Sequence, residues 1–491
     1  MTPLVLKNRV TQSAMVIIAW LTLSCDNPKS ERIKISSEGI LVYHAHIIDV
    51  NNGSILENQA LLIDSSKIQF IGDYAAVKSL VNQKNHYDAK GKYIIPGLWD
   101  MHIHIEGEDL VEDNKALLPV YIAFGITTVR DAASDLGEQV LAWREEIREN
   151  KLLGPQIFTA GRKLEGINSI WKGDLEIANE QELMQMMDKL EQYKVDFVKI
   201  TENTLPGPLF LKSVQEAKKR GFLVSGHVPS DLTINALVEA GFSSIEHASY
   251  LLRLGSNEKR IAEEVNSGKI TKSEADEYYL SQFNQDTALQ AYQRLGKTGV
   301  AVTPTLIGGK QLAFLADDNH SNDEFLQYLT KRFTANYQWR IDRMAKDTPA
   351  QKQKRKDRYE MIARQLPYLQ AAGITLLAGS DAAALNTFVY PALSLHQELA
   401  LFQQAGLTPL QILQSATING ARFMGKPDMA EIEVGKEADV VILNSNPLLD
   451  IESTQDIFAV INNGQYFSRV DLDTLLEQAK QKKLQLDNQR N

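Results

Sequence analysis

The segment from Pro96 to His104, Pro-Gly-Leu-Trp-Asp-Met-His-Ile-His, has the residue types and spacing that metal chemistry requires. A short apolar run leads into it at residues 93–95, and such a run predicts a β-strand. Alternate side chains of a strand share a face, so His102 and His104 are expected to lie one above the other. Two imidazoles held by a strand end can bind a divalent metal ion, and Asp100 could orient one of them.

A second His-x-His segment, His44-Ala45-His46, has the same spacing. It falls within a predicted strand near the N-terminus, far along the chain from any other group of ligand residues. We therefore interpret His44 and His46 as residues on a sheet face. The metal is expected at His102 and His104 instead.

Four more residues that can bind metal fall at the ends of later predicted strands: Lys199, His227, His247 and Asp381. In a parallel α/β barrel the C-terminal strand ends meet at one mouth, where the active site lies. Each residue has a structural alternative. Asp381 could cap a helix, and Lys199 could pack its stem against the barrel while its amine reaches solvent. Their joint occurrence nevertheless predicts a metal site.

The elements that must position these residues follow an alternating strand and helix pattern, which is typical of a parallel α/β architecture. The eight strand-like segments are residues 93–104, 125–131, 156–161, 197–201, 223–228, 244–248, 302–306 and 375–381. Eight β/α units over about 300 residues predict a (β/α)8 TIM barrel, here within residues 93–425. The long connections at residues 251–299 and 308–373 are expected to form lids or substrate walls over its mouth.

The flanking segments differ from this pattern. Residues 38–92 combine short strands with turns rich in Asn, Gly and Ser, which predicts a small β module, and residues 469–491 predict a charged helical tail. With 491 residues, the chain is long enough for one large domain and a smaller one. Its net charge of -10 and the absence of a basic cluster set among aromatic residues argue against a nucleic-acid partner.

The N-terminus has the features of an export signal. Lys7 and Arg9 precede an apolar run at residues 14–23, which is short for a membrane span but typical of a secretory signal. Leu-Thr-Leu-Ser-Cys, ending at the single cysteine Cys25, resembles the lipobox of bacterial lipoproteins. We predict a signal peptide at residues 1–25, a polar tether at 26–37, and an exported protein attached to the membrane through a lipid. A plain signal peptide and an uncleaved anchor are the alternatives.

The sequence resembles the amidohydrolase superfamily of metal-dependent hydrolases, most closely its imidazolonepropionase-like and Xaa-Pro dipeptidase-like members. The resemblance is carried by the Pro96–His104 segment together with Gly-Ile-Thr-Thr-Val-Arg-Asp, Gly-His-Val-Pro, Ile-Glu-His and Gly-Ser-Asp. In this family the C-terminal segment returns to the N-terminal strands. The resemblance therefore implies a composite β-sandwich built from residues 38–92 and 426–468.

The resemblance also implies roles for the six candidate residues. His102, His104 and Asp381 would bind one divalent ion, and His227 and His247 a second. Lys199, converted to a carbamate with CO2, would bridge the two ions, and its apolar neighbours favour the neutral amine that this reaction needs. Zinc is the expected metal because nitrogen and oxygen ligands are mixed. Asp381 would take a proton from the attacking water and pass it to the leaving amine.

Three further residues could recognise the substrate. Arg130 and Arg162 follow the second and third strands and could each pair with a carboxylate, although Arg130 could instead bind Asp131 or a neighbouring strand end. Tyr250 could line the mouth, while His396 is interpreted as a surface or packing residue. The predicted function is hydrolysis of amide or peptide bonds in small substrates, such as dipeptides or N-acyl amino acids. A lactonase, a deaminase and a non-catalytic binding protein are the alternatives.

Overall fold

A computed structural model describes residues 35–489. The predicted signal peptide, Cys25 and most of the predicted tether lie outside the described residues. From Ser36 onward the described chain forms one compact unit. None of the helices within residues 35–489 combines the length and the apolar character needed to cross a bilayer.

The strands of the described residues are β1 (Ile40–Ile48), β2 (Ile55–Asp64), β3 (Lys67–Gly72), β4 (His86–Pro96), β5 (Leu98–Ile103), β6 (Ile126–Asp131), β7 (Gln156–Thr159), β8 (Leu164–Gly166), β9 (Leu175–Ile177), β10 (Val198–Ile200), β11 (Val224–Gly226), β12 (Ser244–Glu246), β13 (Ala301–Thr303), β14 (Thr375–Leu376), β15 (Val440–Leu443), β16 (Ile457–Asn462) and β17 (Gln465–Ser468).

The α-helices are α1 (Tyr74–Val77), α2 (Val111–Ala123), α3 (Gly137–Arg148), α4 (Glu180–Tyr193), α5 (Gly207–Lys219), α6 (Ile234–Ala240), α7 (Glu258–Asn266), α8 (Lys272–Ser281), α9 (Gln285–Leu295), α10 (Leu306–Phe314), α11 (Lys331–Ala335), α12 (Gln338–Met344), α13 (Pro349–Ala363), α14 (Leu366–Ala371), α15 (Leu393–Gln404), α16 (Pro409–Ser415), α17 (Ile418–Phe423) and α18 (Arg469–Asn488). Short 3-10 helices lie at Gln83–Asn85, Ala248–Gly255, His320–Asn322, Glu324–Tyr328 and Ile451–Gln455.

One seven-stranded sheet combines the two ends of the described chain, in the order β17-β16-β15-β4-β1-β2-β3. Its centre is β4, which pairs in parallel with β1 and antiparallel with β15. Val42, Leu61, Ile94, Ile442 and Ile461 contribute to a shared apolar core of this sheet. The N- and C-terminal segments thus form one composite β unit, as the sequence suggested.

The central region is a mixed α/β fold with parallel sheets. The sheets have the orders β5-β6-β7 and β14-β13-β12-β11-β10-β8-β9. Each of the eight predicted strand segments overlaps an observed strand, and β8 and β9 form an additional pair that the sequence analysis did not identify. Fully buried Val129, Val198, Ile245 and Val302 are typical of parallel strands covered on both faces. A backbone bond from Met101 N–H to the carbonyl of Ala378 joins β5 to the segment after β14.

The strands are shorter than predicted, and this changes where the polar residues lie. His227 and His247 directly follow β11 and β12, and Asp381 lies five residues beyond β14. These side chains therefore belong to the loops that begin at strand ends, where the backbone is free to turn a side chain inward.

The two long connections are helical. The one after β12 contains α7, α8 and α9, whose N-termini are capped by Asn257, Thr271 and Asn284. The one after β13 contains α10 to α14. The predicted charged tail forms α18, which buries Leu472 and Leu486 and packs against α2.

Candidate metal centre

Three of the predicted ligands meet in a compact triad. The Nε2 atoms of His102 and His104 lie 3.3 Å apart, and they are 3.4 and 3.3 Å from Oδ1 of Asp381. Among the described residues, these three offer ligand atoms close enough together to hold a single ion. The triad unites the end of β5 with the loop after β14.

His227 and His247 form a second pair beside the triad. Their Nε2 atoms are 3.2 Å apart, and the ring centroid of His247 lies 5.2 Å from that of His102. The structure therefore brings together the histidines that the sequence predicted at three different strand ends. Two groups of donors lie next to each other.

The second nitrogen of each imidazole determines what the facing nitrogens can do. The Nδ1 atoms of His102, His104, His227 and His247 bond to Glu246 Oε2 (2.7 Å), the Ala133 carbonyl (2.8 Å), Glu202 Oε2 (2.8 Å) and Thr305 Oγ1 (2.7 Å), respectively. All four partners accept, since Thr305 uses its own proton on the Pro304 carbonyl. Each Nδ1 therefore carries a hydrogen, and in its neutral form each ring presents a lone pair at Nε2.

Within each pair, two lone pairs that face each other at 3.3 Å (His102 and His104) or 3.2 Å (His227 and His247) repel unless a cation lies beside them. Burial keeps the His102 ring neutral by lowering its pKa to about 4. Burial would raise the pKa of Asp381, but the neighbouring imidazoles, with His104 foremost, lower it, so the carboxylate is ionised. Neutral imidazoles and one carboxylate are the donor set that a divalent metal ion prefers.

Lys199 completes the set of six. Its side chain is buried on β10, and the described residues offer no hydrogen-bond partner to Nζ. Burial lowers the pKa of this amine to about 8. The charge of Lys199 also contributes, after burial, to the lowered pKa of His102. Buried amines rarely lack a hydrogen-bond partner. An unpaired amine in the same site as five other potential ligands is therefore expected to gain a partner when a ligand binds.

The backbone is strained at two of these positions. His247 and Asp381 have φ angles of 74° and 59°, in the left-handed region that non-glycine residues avoid. Close packing adds to this, because a Cβ on Gly379 would lie 2.8 Å from the Cβ of His102. A glycine is therefore required for the loop carrying Asp381 to approach β5.

Glu246 lies behind His102 and was not identified from the sequence. Its carboxylate binds both His102 Nδ1 and the guanidinium of Arg130 at 2.8 Å. Burial would raise the pKa of Glu246, but Arg130 and His102 hold it well below the usual range. Of the two interpretations of Arg130, the structure supports the one in which it binds a neighbouring strand end. Arg130 is fully buried and also donates to the Met101 carbonyl, so it is not available to a substrate.

Asp100 has a different role from the predicted one. It accepts hydrogen bonds from the backbone N–H groups of His102 and Ser380 and from the Ser380 hydroxyl, at 2.6 Å for the last. The expectation that Asp100 orients an imidazole is therefore wrong, because it holds the backbone of two ligand-bearing segments together. Within residues 35–489, Ser380 has no histidine partner, so its hydroxyl lacks the base that would activate a nucleophile.

The two remaining candidates for substrate recognition are Arg162 and Tyr250. Arg162 is bonded to Glu138 and to the Gly173 carbonyl. Tyr250 donates to Glu202 at 2.9 Å, and its ring centroid is 5.9 Å from that of His227. Tyr250 thus adjoins the second histidine pair through the carboxylate that orients His227.

His396 is a packing residue rather than a surface residue. It is buried and bonded to Thr454 and to the Phe124 carbonyl. His44 and His46 lie in β1 of the composite sheet, outside the group of ligands.

The sequence of this chain, whose fold and potential metal ligands are described above, matches a known protein family. The sequence model of the amidohydrolase family matches residues 93–466, and the chain belongs to that family. The resemblance noted in the sequence is thereby confirmed.

Similar proteins cover most of the chain. An ochratoxinase of Aspergillus niger is 23% identical in an alignment that covers 86% of this chain and 84% of that protein. A bottromycin amidohydrolase superposes with a TM-score of 0.68 at 18% identity, covering 91% of this chain and 90% of that one. An Xaa-Pro dipeptidase with methionine bound in its active site gives a TM-score of 0.63 at 18% identity, covering 88% and 100%.

Proposed function

We propose that this protein is a binuclear metal-dependent amidohydrolase that cleaves C–N bonds of small substrates, such as dipeptides or N-acyl amino acids. The observation that carries the proposal is the triad of His102, His104 and Asp381 with the facing pair of His227 and His247 beside it. We also propose that the eight parallel strands close as a TIM barrel and that the composite sheet forms a β-sandwich.

In this proposal His102, His104 and Asp381 bind one divalent ion, and His227 and His247 bind the other. Zinc is the expected metal because the donors are mainly imidazole nitrogens. The neutral fraction of Lys199, whose pKa is about 8, attacks CO2 to form a carbamate and releases one proton. A carbamate on Lys199 would supply a further anionic ligand to the ions, which would give the buried amine the partner that it lacks among the described residues.

The bound ions would make a water molecule more acidic and polarise the carbonyl of the substrate. Asp381 supplies the base. Its Oδ1 faces His102 and His104, while Oδ2 has no hydrogen-bond partner among the described residues. The carboxylate accepts the proton of the attacking water and donates it to the leaving nitrogen as the C–N bond breaks. Glu246 and Glu202 keep the supporting imidazoles in the tautomer that leaves Nε2 free.

The similar proteins support the choice of bond. An Xaa-Pro dipeptidase and a bottromycin amidohydrolase, by their names, act on peptide or amide bonds, and both align with nearly the whole chain. We therefore give amide and peptide bonds precedence over lactones and over deamination.

A substrate screen tests this function. The purified protein, reconstituted with zinc and bicarbonate, is assayed against dipeptides, N-acyl amino acids and lactones, with release of free amine as the readout. We expect amine release that disappears after chelation and returns with zinc. Ring opening of lactones without amine release would instead favour the lactonase alternative.

We further propose that the protein is exported and anchored by a lipid on Cys25. The support is the sequence of residues 1–25 alone. Cys25→Ser should release the protein from the membrane fraction or leave it unprocessed. Unchanged membrane attachment with the leader intact would favour an uncleaved anchor.

A further inference from the structure

An arginine that the sequence analysis did not single out lies near the metal centre. Arg340 is part of α12, within the long connection after β13. Its Nε atom is buried without a hydrogen-bond partner, and the guanidinium forms no ion pair with the described residues. An unpaired, partly buried guanidinium is unusual, because desolvation of the charge is not offset by a partner.

The helix that carries Arg340 is fixed against the loop that carries Asp381. The Tyr337 carbonyl, one residue before α12, accepts a hydrogen bond of 3.1 Å from the Thr387 hydroxyl. Asn386, next to Thr387, donates to the carbonyl of Asp381 at 2.6 Å. Two hydrogen bonds, made by the neighbouring residues Asn386 and Thr387, therefore connect the start of α12 to Asp381.

The electrostatics agree with this location. Burial lowers the pKa of Arg340, and the charges that act against this effect belong to Asp381 first and Glu106 second. Neither carboxylate is within ion-pair distance of the guanidinium. Asp381 is directed at the imidazoles, and Glu106 accepts from the N–H of Leu385. The donors of Arg340 are thus unused although they lie in the field of the active site.

Two tryptophans supply an apolar surface beside this charge. Arg340 stacks on Trp339 at 4.9 Å, and Trp339 meets Trp171 edge to face at 6.3 Å. Trp171 belongs to the segment between β8 and β9, so connections after two different barrel strands meet here. A cation with free donors next to aromatic rings can recognise an anionic group attached to an apolar one.

We infer that Arg340 binds the carboxylate of the substrate and thereby selects compounds with a free carboxylate next to the bond that is cleaved. The inference rests on the proposed function and narrows its substrate class to dipeptides and N-acyl amino acids with an unblocked C-terminus. A bidentate guanidinium–carboxylate pair would satisfy the donors of Arg340. The carboxylate would also fix the scissile bond relative to Asp381.

The test measures binding, so it does not depend on turnover. The probe is N-phenylsulfonyl-L-phenylalanine, whose sulfonamide bond resists hydrolysis, and the paired compound is the alcohol that has CH2OH in place of the carboxylate. Titration calorimetry with the zinc-loaded protein gives the Kd of each compound for the wild type, Arg340→Met and Arg343→Met. Arg343 is the matched control, because it stacks on the same Trp339 ring at 5.1 Å but is exposed.

We expect Arg340→Met to weaken binding of the acid by about 10- to 100-fold, the range for a lost charge-assisted pair, and to change that of the alcohol by less than about 2-fold. Arg343→Met should change neither Kd. Equal weakening of both compounds by Arg340→Met would overturn the inference, because it would indicate a general electrostatic or structural role. A wild-type protein that binds the acid no more tightly than the alcohol would overturn it as well.

The experiments distinguish a failure of the proposed function from a failure of the proposed carboxylate site. If the wild type hydrolyses no amide or peptide in the substrate screen while Arg340→Met still selectively loses the acid, the carboxylate site stands and the reaction is a different one. If amides are hydrolysed but the two Kd values show no selective loss, the reaction stands and the carboxylate site is wrong.

Discussion

The two His-x-His segments have equal spacing and opposite surroundings. At the end of β5 the rings of His102 and His104 are close together, and Asp381 adds a carboxylate. In β1 the positive φ of His44 interrupts the strand with a register shift. The His44 ring is about half exposed and pairs with Asp88, whereas His46 stacks near Tyr93.

The two segments differ in the groups that hold the imidazole rings in place, not in the spacing of their histidines. His102 is supported by the buried Glu246, which is itself neutralised by Arg130, so its Nδ1 partner is fixed. His44 has one carboxylate in contact with solvent, where an ion pair is weak and mobile. A metal site therefore requires fixed tautomers and converging lone pairs, which spacing alone does not specify.

The largest effect is expected from removing the base. Asp381→Asn keeps an oxygen that can approach a metal ion but cannot accept a proton. We expect kcat to fall by about 10²–10⁴-fold, equivalent to about 3–5 kcal/mol in the barrier, with metal content only modestly reduced. The control is Asp88→Asn, the carboxylate partner of His44, which should leave kcat unchanged. If Asp381→Asn retains more than about a tenth of kcat with its metal bound, Asp381 is only a ligand.

The second largest effect is expected at the buried ion pair of Arg130 and Glu246, whose carboxylate binds His102. Arg130→Met leaves the buried Glu246 with an uncompensated charge, so the free energy of unfolding should fall by about 3–5 kcal/mol. Urea denaturation of the two proteins measures the difference. The control is Arg162→Met, because Arg162 pairs with the exposed Glu138 and should cost about 1 kcal/mol or less. Equal costs for the two substitutions would contradict a special role for the buried pair.

The third effect concerns the number of ions. Reconstitution with zinc and bicarbonate should load about two ions per chain, and Lys199→Met should reduce this to about one. Lys92→Met is the control, since Lys92 lies beside the β1 segment and stacks on Phe458. A content of about one ion in the wild type, unchanged in Lys199→Met, would rule out the bridged site.

The smallest effect is expected at the other segment. The double substitution of His44 and His46 by Gln should leave metal content and kcat unchanged and alter the free energy of unfolding by about 0.5 kcal/mol or less. Metal analysis and urea denaturation test this together. Loss of one ion from a folded double variant would show that the wrong His-x-His segment was chosen.

Most of the fold could be predicted from local pattern. Each parallel strand is a short apolar run between helical segments, and this signal identified all eight. The β8 and β9 pair was not identified from the sequence; both strands lie in the segment between β7 and α4. Strand ends were overextended at residues 223–228 and 375–381, since sequence does not reveal where hydrogen bonding to the neighbouring strand stops.

The site could be predicted only in part. His102, His104, His227, His247 and Asp381 carry a local signal, because each follows an apolar strand, and the structure brings them together; their roles as ligands stay a prediction. Glu246 is 144 positions from the histidine it orients, so no local pattern connects them. Arg340 lies in a charged helical insertion, where one arginine cannot be distinguished from its solvated neighbours.

The composite sheet has a consequence for how the chain is made. Val440 of β15 pairs with Pro96 of β4, so one edge of β4 stays open until nearly the whole protein has left the ribosome. Pairing over such a sequence separation forms slowly, and an open apolar edge is prone to associate with other chains. The moment at which residues 440–468 are released therefore sets the earliest time at which the sheet can be completed. A chain that ends before β15 would expose β4 and be expected to aggregate.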